Sequence, residues 1–282
     1  AAPAVRVAAT DLAEWARCPT RHFLSRRLRL VERPGGVGAP GDDPDRATAR
    51  GTLAHAALAT LDLAAPPLER RAQLVASARR LGHDPSSPAT RRVLADVTRF
   101  LDSPGGLWLA DRARRGALRR EVPFLLRLEG SPGCYLVGAI DAMAEEDGGI
   151  RIVDFKYALP RREVAERYRL QLCAYALAAS RAHPGRSVRA GLQFLRGRCD
   201  AVDLTPSADD LLRLASEAPR LASALHRDSG EIPPAALGRT RERCLREGCG
   251  FVHRCHPGPA ASPRSARRVP RDPGAPAPLD TD

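Results

Sequence analysis

Apolar residues recur along this chain with two periods, and the switch between them divides it. Between Ala47 and Leu63 the residues Leu53, Ala57, Leu58 and Leu61 return at helical spacing, marking one face of an amphipathic helix. From Leu68 to Arg115 the pattern stays mostly helical. It breaks at Asp84-Pro-Ser-Ser-Pro88 and Ser103-Pro-Gly-Gly106, where proline and glycine favour turns. Upstream, Thr10 is expected to N-cap a first helix with Asp11 in its opening turn, running toward Cys18. Glu32 to Asp45 is rich in glycine and proline and reads as a loop.

Near Glu121 the period shortens. Glu121-Val-Pro-Phe-Leu-Leu-Arg-Leu128 opens the predicted sheet, followed by Cys134-Tyr-Leu-Val-Gly138-Ala-Ile-Asp141 and Ile150-Arg-Ile-Val-Asp154-Phe-Lys156. Glu145-Glu-Asp-Gly-Gly149 supplies a hairpin turn between the last two strands. Glu163 to His183 returns to helical spacing, and Leu170, Leu172, Ala174, Leu177 and Ala178 give it the broad apolar coverage of a helix laid on a sheet. Ser187 to Leu195 reads as another strand and Pro206 to Arg227 as an outer helix. Strand, helix, strand is a crossover unit, so the expected sheet is mixed, a hairpin feeding a parallel addition. The predicted class is α/β, a mixed sheet flanked by helices. Residues 10–115 are mainly helical, 119–226 carry the sheet core, and 240–256 form a C-terminal cysteine loop. Residues 257–282 hold proline, alanine, arginine and serine with too little apolar bulk to fold, so a disordered tail is expected. No run is long enough to span a bilayer.

Composition adds one anomaly. Of 45 Lys and Arg residues, only Lys156 is a lysine. A chain that accepts arginine everywhere else kept a compact ammonium two residues after an aspartate, in an apolar strand. Val153 and Phe155 point to one face of that strand, and Ile152, Asp154 and Lys156 to the other. The hairpin makes the strands antiparallel neighbours, so Asp141 and Asp154 can approach. Two carboxylates and a lysine at a strand end form a hard-oxygen site suited to Mg²⁺ or Mn²⁺. For Asp154 and Lys156 alone, the alternative is a surface ion pair.

Seven cysteines, an odd number, in a chain with no secretory signal argue against a disulfide framework and fit a cytoplasmic location. Cys134, Cys173 and Cys199 lie in strand or helix patterns and read as buried, inert thiols. Cys244-x4-Cys249-x5-Cys255 sets three thiols within twelve residues, which suits a metal whose fourth ligand comes from elsewhere. Zinc with His253 or His256 is one solution. The formal charge of +12 attracts phosphate backbones, but arginine-rich faces also serve solubility. Runs such as Arg112-Ala-Arg114-Arg115 and Arg119-Arg120 track a strand or solvate a helix end. With aromatics at 4%, an extended base-stacking platform is not expected, and single rings such as Tyr157, Tyr168 and Tyr175 remain to contact bases. The sole lysine is followed by tyrosine, so no P-loop is present.

Taken together, Gly138-Ala-Ile-Asp141 and Val153-Asp154-Phe-Lys156 resemble the core of the PD-(D/E)xK nuclease superfamily, of the RecB-like branch, which has a restriction-endonuclease-like core. Arg50-Gly51-Thr-Leu-Ala-His55 resembles that branch's Gly-x-x-x-His helix, and Gln171-Leu-Cys-Ala-Tyr175 its Gln-x-x-x-Tyr helix. Arg17-Cys18-Pro19 with Cys244, Cys249 and Cys255 resembles the split cysteine set holding a [4Fe–4S] cluster in some members, although the family spaces its clustered cysteines more closely than x4. The resemblance runs from about Thr10 to Cys255. His55 lies off the centre of its helix stripe, while Gln171 and Tyr175, four apart, share a helix face.

The resemblance implies a metal-dependent DNA nuclease, acting on single strands or duplex ends in repair or recombination. Asp141, Asp154, His55 and the backbone carbonyl of Phe155 would hold the ion. Lys156 would position the attacking water or stabilise the pentavalent phosphorus, with Gln171 and Tyr175 orienting the lysine and the nucleic-acid backbone. A helicase motor, if there is one, lies outside these residues, and the missing initiator methionine suggests a domain excised from a longer protein or a trimmed chain. The alternative is a non-catalytic DNA-binding module of a recombination complex.

Overall fold

The structure, a computed structural model, describes residues 4–32, 44–129, 133–160, 165–226 and 239–257. The expected tail, and most of the expected loop between Glu32 and Asp45, lie outside the described residues.

The longest strand, β3 (Cys134–Glu146), is the spine of a six-stranded mixed sheet. One edge is covered by antiparallel β2 (Leu118–Arg127), from Leu118↔Ala144 to Arg127↔Tyr135. The other edge is shared end to end. Parallel β1 (Val5–Ala8) takes Cys134 to Val137, and antiparallel β4 (Gly149–Lys156) takes Ala142 to Glu146. Residues 138–141 sit where β1 and β4 part, a fork in the sheet. β5 (Val188–Phe194) adds parallel to β4, and β6 (Ala201–Asp203) antiparallel to β5. The hairpin and the parallel crossover thus follow the apolar pattern. In the β3–β4 turn, Asp147 at φ 40° and Gly148 at φ 78° are both left-handed, the two-residue geometry whose twist matches the flanking strands.

Helices cover both faces. On one lie α1 (Ala9–Arg17), α7 (Arg169–Ala182) and α8 (Ala208–His226), packed over Ile140, Ile150 and Ile152. On the other lie α3 (Pro44–Thr60), α4 (Pro67–Arg80), α5 (Pro88–Leu101) and α6 (Pro104–Arg114), over Ala142 and Phe155. Proline opens α4, α5 and α6 at their first positions, and Ser87 and Ser103 cap the last two by accepting from the amides of Thr90 and Gly106. α7 is buried from Gln171 to Ala179, which accounts for its nearly continuous apolar sequence. It runs from Arg169, and the expected start at Glu163 lies outside the described residues.

Several expectations need correction. The sheet opens on β1, too short for a period-two signal, and not on β2. Thr10 does not cap α1: the helix leaves β1 directly, with Ala8 as a cap that offers no side chain. Residues 240–256 are largely helical, in α9 (Arg241–Arg246) and α10 (Val252–Cys255), with Thr240 capping the first by accepting from the Arg243 amide. Cys18 ends α1 and caps α2 (Pro19–His22), which runs into a π-helical turn over Phe23–Arg27. Cys199 is buried as expected but occupies a left-handed turn position, φ 59°, between β5 and β6. Arg120 neither solvates a helix end nor tracks a strand. Its guanidinium donates to the carbonyls of Leu58 (2.7 Å) and Leu61 (2.5 Å), closing the C-terminal end of α3 and tying it to the sheet.

Gly138, in the fork, is there for space. A Cβ would meet the Phe124 ring at 2.7 Å, and that ring already packs edge-on against Tyr175. Gly138→Ala is therefore expected to cost about 1–3 kcal/mol of overpacking, read from urea denaturation midpoints. Adding Phe124→Leu should recover part of the loss; full stability in Gly138→Ala alone would refute the close approach.

Candidate active site

Asp141 stands at the fork, one residue beyond the last β3–β4 pair, Ala142↔Val153, so the hairpin register brings it against Asp154. Asp141 Oδ2 accepts from the amide of Phe155 (2.8 Å) and lies 3.3 Å from Nδ1 of His55, delivered by α3. Asp154 is 1% exposed. Its Oδ1 accepts from Gln171 Nε2 at 3.0 Å, and the same nitrogen donates to the Tyr175 hydroxyl at 2.7 Å. Its Oδ2 accepts no hydrogen bond of good geometry and is matched only by the Lys156 ammonium, 2.5 Å away. Lys156 Nζ also lies 4.3 Å above the ring of Tyr168. Asp141, Asp154, Phe155, Lys156, His55, Gln171 and Tyr175 are thus brought together from β3, β4, α3 and α7.

Burial, then the charge of Asp154, pushes the Asp141 carboxyl up to about 7, against the Phe155 amide and Lys156, which favour its ionised form. Burial alone would lower Lys156, but Asp154, with help from Tyr168, holds it above its ordinary value. Burial and the Lys156 charge keep His55 below the usual histidine range, so its ring is neutral near pH 7 and offers a lone pair.

Among the described residues, no group of three His, Cys, Asp or Glu forms a ready chelate. The donor chemistry nonetheless fits a hard dication. Two abutting carboxylates, one pushed toward its protonated form and one with a buried, hydrogen-bond-deficient oxygen, sit beside a neutral imidazole. In the present arrangement Asp154 leans on Lys156 and Asp141 on the Phe155 amide, and a cation would compete with both.

A second set of side chains, none of them shared with the carboxylate fork, also converges. Cys18, Cys244, Cys249 and Cys255 line one small cavity together with His256. Cys18 Sγ accepts from the Arg21 amide at 3.4 Å, and Cys244 Sγ lies 3.8 Å from His256 Nε2. Burial, then the neighbouring Cys18 and Cys244, raises the Cys255 thiol. His253 is exposed and does not line the cavity.

Sequence reading missed Glu121. The pairs Arg120↔Ala142 and Val122↔Ile140 bracket it opposite Asp141, and its φ is 47°, a left-handed conformation unusual for a residue other than glycine. The kink turns both strands over. Ile140 and Val122 pack under α7, while Ala142 packs under α3, where regular alternation would keep 140 and 142 on one face. The Glu121 carboxylate adds to the negative field at Asp141 and Tyr175. No local pattern announces it, because a glycine would be the usual sign of such a turn. Glu121→Gly should relieve the strained φ and leave the fold equal or more stable, by up to about 1 kcal/mol in thermal or urea unfolding. A loss of more than that would show that the side chain, not the backbone, maintains the kink.

A solved structure from Eubacterium rectale, named "Putative exonuclease", is 12% identical over 85% of this chain and 86% of its own, with a TM-score of 0.48. No curated protein matches. The profile of the PD-(D/E)XK nuclease superfamily matches residues 6–256, from within β1 through the carboxylate fork to the last of the four cysteines of the small cavity, and the chain belongs to that superfamily.

Proposed function

We propose that the protein is a divalent-cation-dependent nuclease that hydrolyses phosphodiester bonds in DNA. The supporting observation is the buried constellation of Asp141, Asp154 and Lys156, flanked by His55 and by the Gln171–Tyr175 pair. Asp141, Asp154, His55 and the Phe155 carbonyl would hold Mg²⁺ or Mn²⁺. When bound, the ion lowers the pKa of a water and offsets charge developing on the phosphate.

The remaining work belongs to the chain's own side chains. Lys156, kept charged by Asp154, donates to the attacking water or to a non-bridging phosphate oxygen. Gln171 fixes Asp154 through Oδ1, leaving Oδ2 to the Lys156 ammonium, and Tyr175 holds Gln171 in place. His55, uncharged, adds a lone pair without repelling a cation. The helix–sheet tie made by Arg120 keeps His55 in register with Asp141. Strand ends are the proposed substrate and repair or recombination the proposed setting, beside a helicase. The cysteine cavity is proposed to hold a [4Fe–4S] cluster on Cys18, Cys244, Cys249 and Cys255, with zinc on three thiols and His256 as the second reading, since His256 lines the same cavity.

Asp154→Ala and Lys156→Ala are expected to abolish Mg²⁺-dependent cleavage of labelled DNA while leaving folding and DNA binding nearly intact. Lys156→Arg should also lose most activity, because a broad guanidinium cannot reproduce a point donor. Wild-type-like cleavage in any of the three sinks the assignment.

For the cysteines, anaerobically purified protein should be brown, with iron and acid-labile sulfide in equal amounts. Cys18→Ala should bleach it as fully as Cys255→Ala and lower thermal stability by a few kcal/mol, since the cluster closes a loop of over two hundred residues and closure entropy grows only with the logarithm of length. Cys134→Ala should stay brown. Colourless protein with one zinc, insensitive to Cys18→Ala, would establish the zinc reading.

A further inference from the structure

On the side of α7 away from Gln171 and Tyr175 lies a cavity of about 830 Å³, framed by α1, α7, α8 and α9. That size falls within the range of ligand sites. Of the sixteen described residues that line it, seven are arginines, against roughly one residue in six across the chain, and four are acidic. The enrichment is nearly threefold, so the arginine-rich composition alone does not account for it.

The acids do not neutralise the wall. A single carboxylate, Glu247, is shared by Arg17 (3.4 Å), Arg239 (2.8 Å) and Arg243 (3.0 Å). Burial would raise Glu247, yet hydrogen bonds from Arg239 and Arg243 carry it down to about 2, so its one charge is fully committed. Glu166 pairs with Arg169 at 2.9 Å, Asp210 accepts from the amide and hydroxyl of Ser207 and its charge is further favoured by Arg213 and Arg169, and Glu217 is the fourth acid. The side chains of Arg167, Arg213 and Arg246 line the same space and make no close ion pair or side-chain hydrogen bond among the described residues, and of the three Arg213 feels the charge of Asp210. Arg17 is itself destabilised as a cation, first by burial and then by the charges of Arg21 and Arg167. An excess of guanidinium groups over carboxylates in a concave, helix-walled space focuses a positive field and presents forks that match phosphate oxygens.

We propose that this cavity is a phosphate-binding site, separate from the carboxylate fork, that takes clustered phosphate groups of a nucleic-acid strand or of a free polyphosphate. It does not depend on the nuclease reading, because α7 stands between the two sites. Arg213 and Arg246 are the principal contacts. Arg17, Arg239 and Glu247 also line the cysteine cavity, so they form the wall between the two spaces and are held by both.

The test uses the full chain in EDTA, so that binding is read without cleavage. Two probes are titrated at several salt concentrations: inorganic tripolyphosphate and a fluorescent single-stranded oligodeoxynucleotide. Arg213→Glu/Arg246→Glu, with Arg213→Gln/Arg246→Gln as the milder variant, should weaken binding at least tenfold while melting as the wild type does. For the oligonucleotide, the slope of log affinity against log salt should fall by about 0.7 per contact removed. Arg198→Glu, outside the cavity, is the control and should change affinity by less than about threefold, roughly the effect of one screened surface charge. Loss of both probes identifies a strand as the ligand, and loss of tripolyphosphate alone identifies a free polyphosphate. Unchanged binding in both double variants, or an equal loss in Arg198→Glu, overturns the site. Because Asp154→Ala should leave these affinities untouched, failure here and failure of the nuclease reading are told apart.

Discussion

Everything at the fork follows from two carboxylates forced together on adjacent strands. Asp141 and Asp154 meet because a two-residue turn fixes the β3–β4 register, and a shift of one residue would send one of them to the opposite face. Like charges in a buried setting are unfavourable, and the structure shows how the cost is spread. Lys156 meets one carboxylate, the Phe155 amide the other, and Asp141 is left close to neutrality at its apparent value of about 7. A site that holds its own acid near protonation, with a neutral histidine beside it, is prepared for an added positive charge.

The surrounding architecture keeps that pair from relaxing. β1 and β4 share one edge of β3 and part at residues 138–141, which frees Asp141 from pairing on that edge and opens a way in. The left-handed Glu121 turns β2 and β3 over at the same level, so the sheet changes faces beside the carboxylates. Arg120, the residue before it, is thereby directed to the end of α3, while Val122 and Phe124 turn under α7. One backbone irregularity therefore sets the placement of both helices that furnish His55 and Gln171. Burial disfavours the Arg120 cation, and the charges of Asp62 and Glu121 together with a pair of helix-terminal carbonyls offset it.

The legible parts of the sequence were those governed by local period and by turn chemistry. The α3 stripe, the β3–β4 hairpin with its Asp-Gly turn and the β4–α7–β5 crossover could be read because each repeats over enough residues to be distinctive. The four-residue strand β1 could not, because its partner is Cys134–Val137, over a hundred residues away, and nothing local demands it. Thr10 looked like a cap only on the assumption that a loop preceded it. The face switch at Glu121 was hidden for another reason: alternation is inferred by assuming regular strands, and the residue that breaks the regularity is not a glycine. The convergence of Asp141, Asp154 and Lys156 was visible since one hairpin carries all three. That Arg120 serves a helix end was not, since it depends on where α3 finally lies.

The solitary lysine gains a physical reason from this geometry. Its ammonium is confined between Asp154 Oδ2 at 2.5 Å and the face of Tyr168 at 4.3 Å, with a side chain only 15% exposed. A guanidinium spreads five donors over a planar fork and needs partners for them, whereas this niche offers one carboxylate oxygen and one ring face. Arginine there would either leave donors unsatisfied in a buried setting or push Tyr168 aside, and either change would disturb the oxygen of Asp154 that accepts nothing else. Among the described residues arginine serves in roomier settings, against solvent, shared carboxylates such as Glu247, backbone carbonyls, or a ring face such as that of Trp108 beneath Arg151. At position 156 the constraint is the size and direction of a single charge, and that is enough to exempt one residue from an otherwise uniform preference.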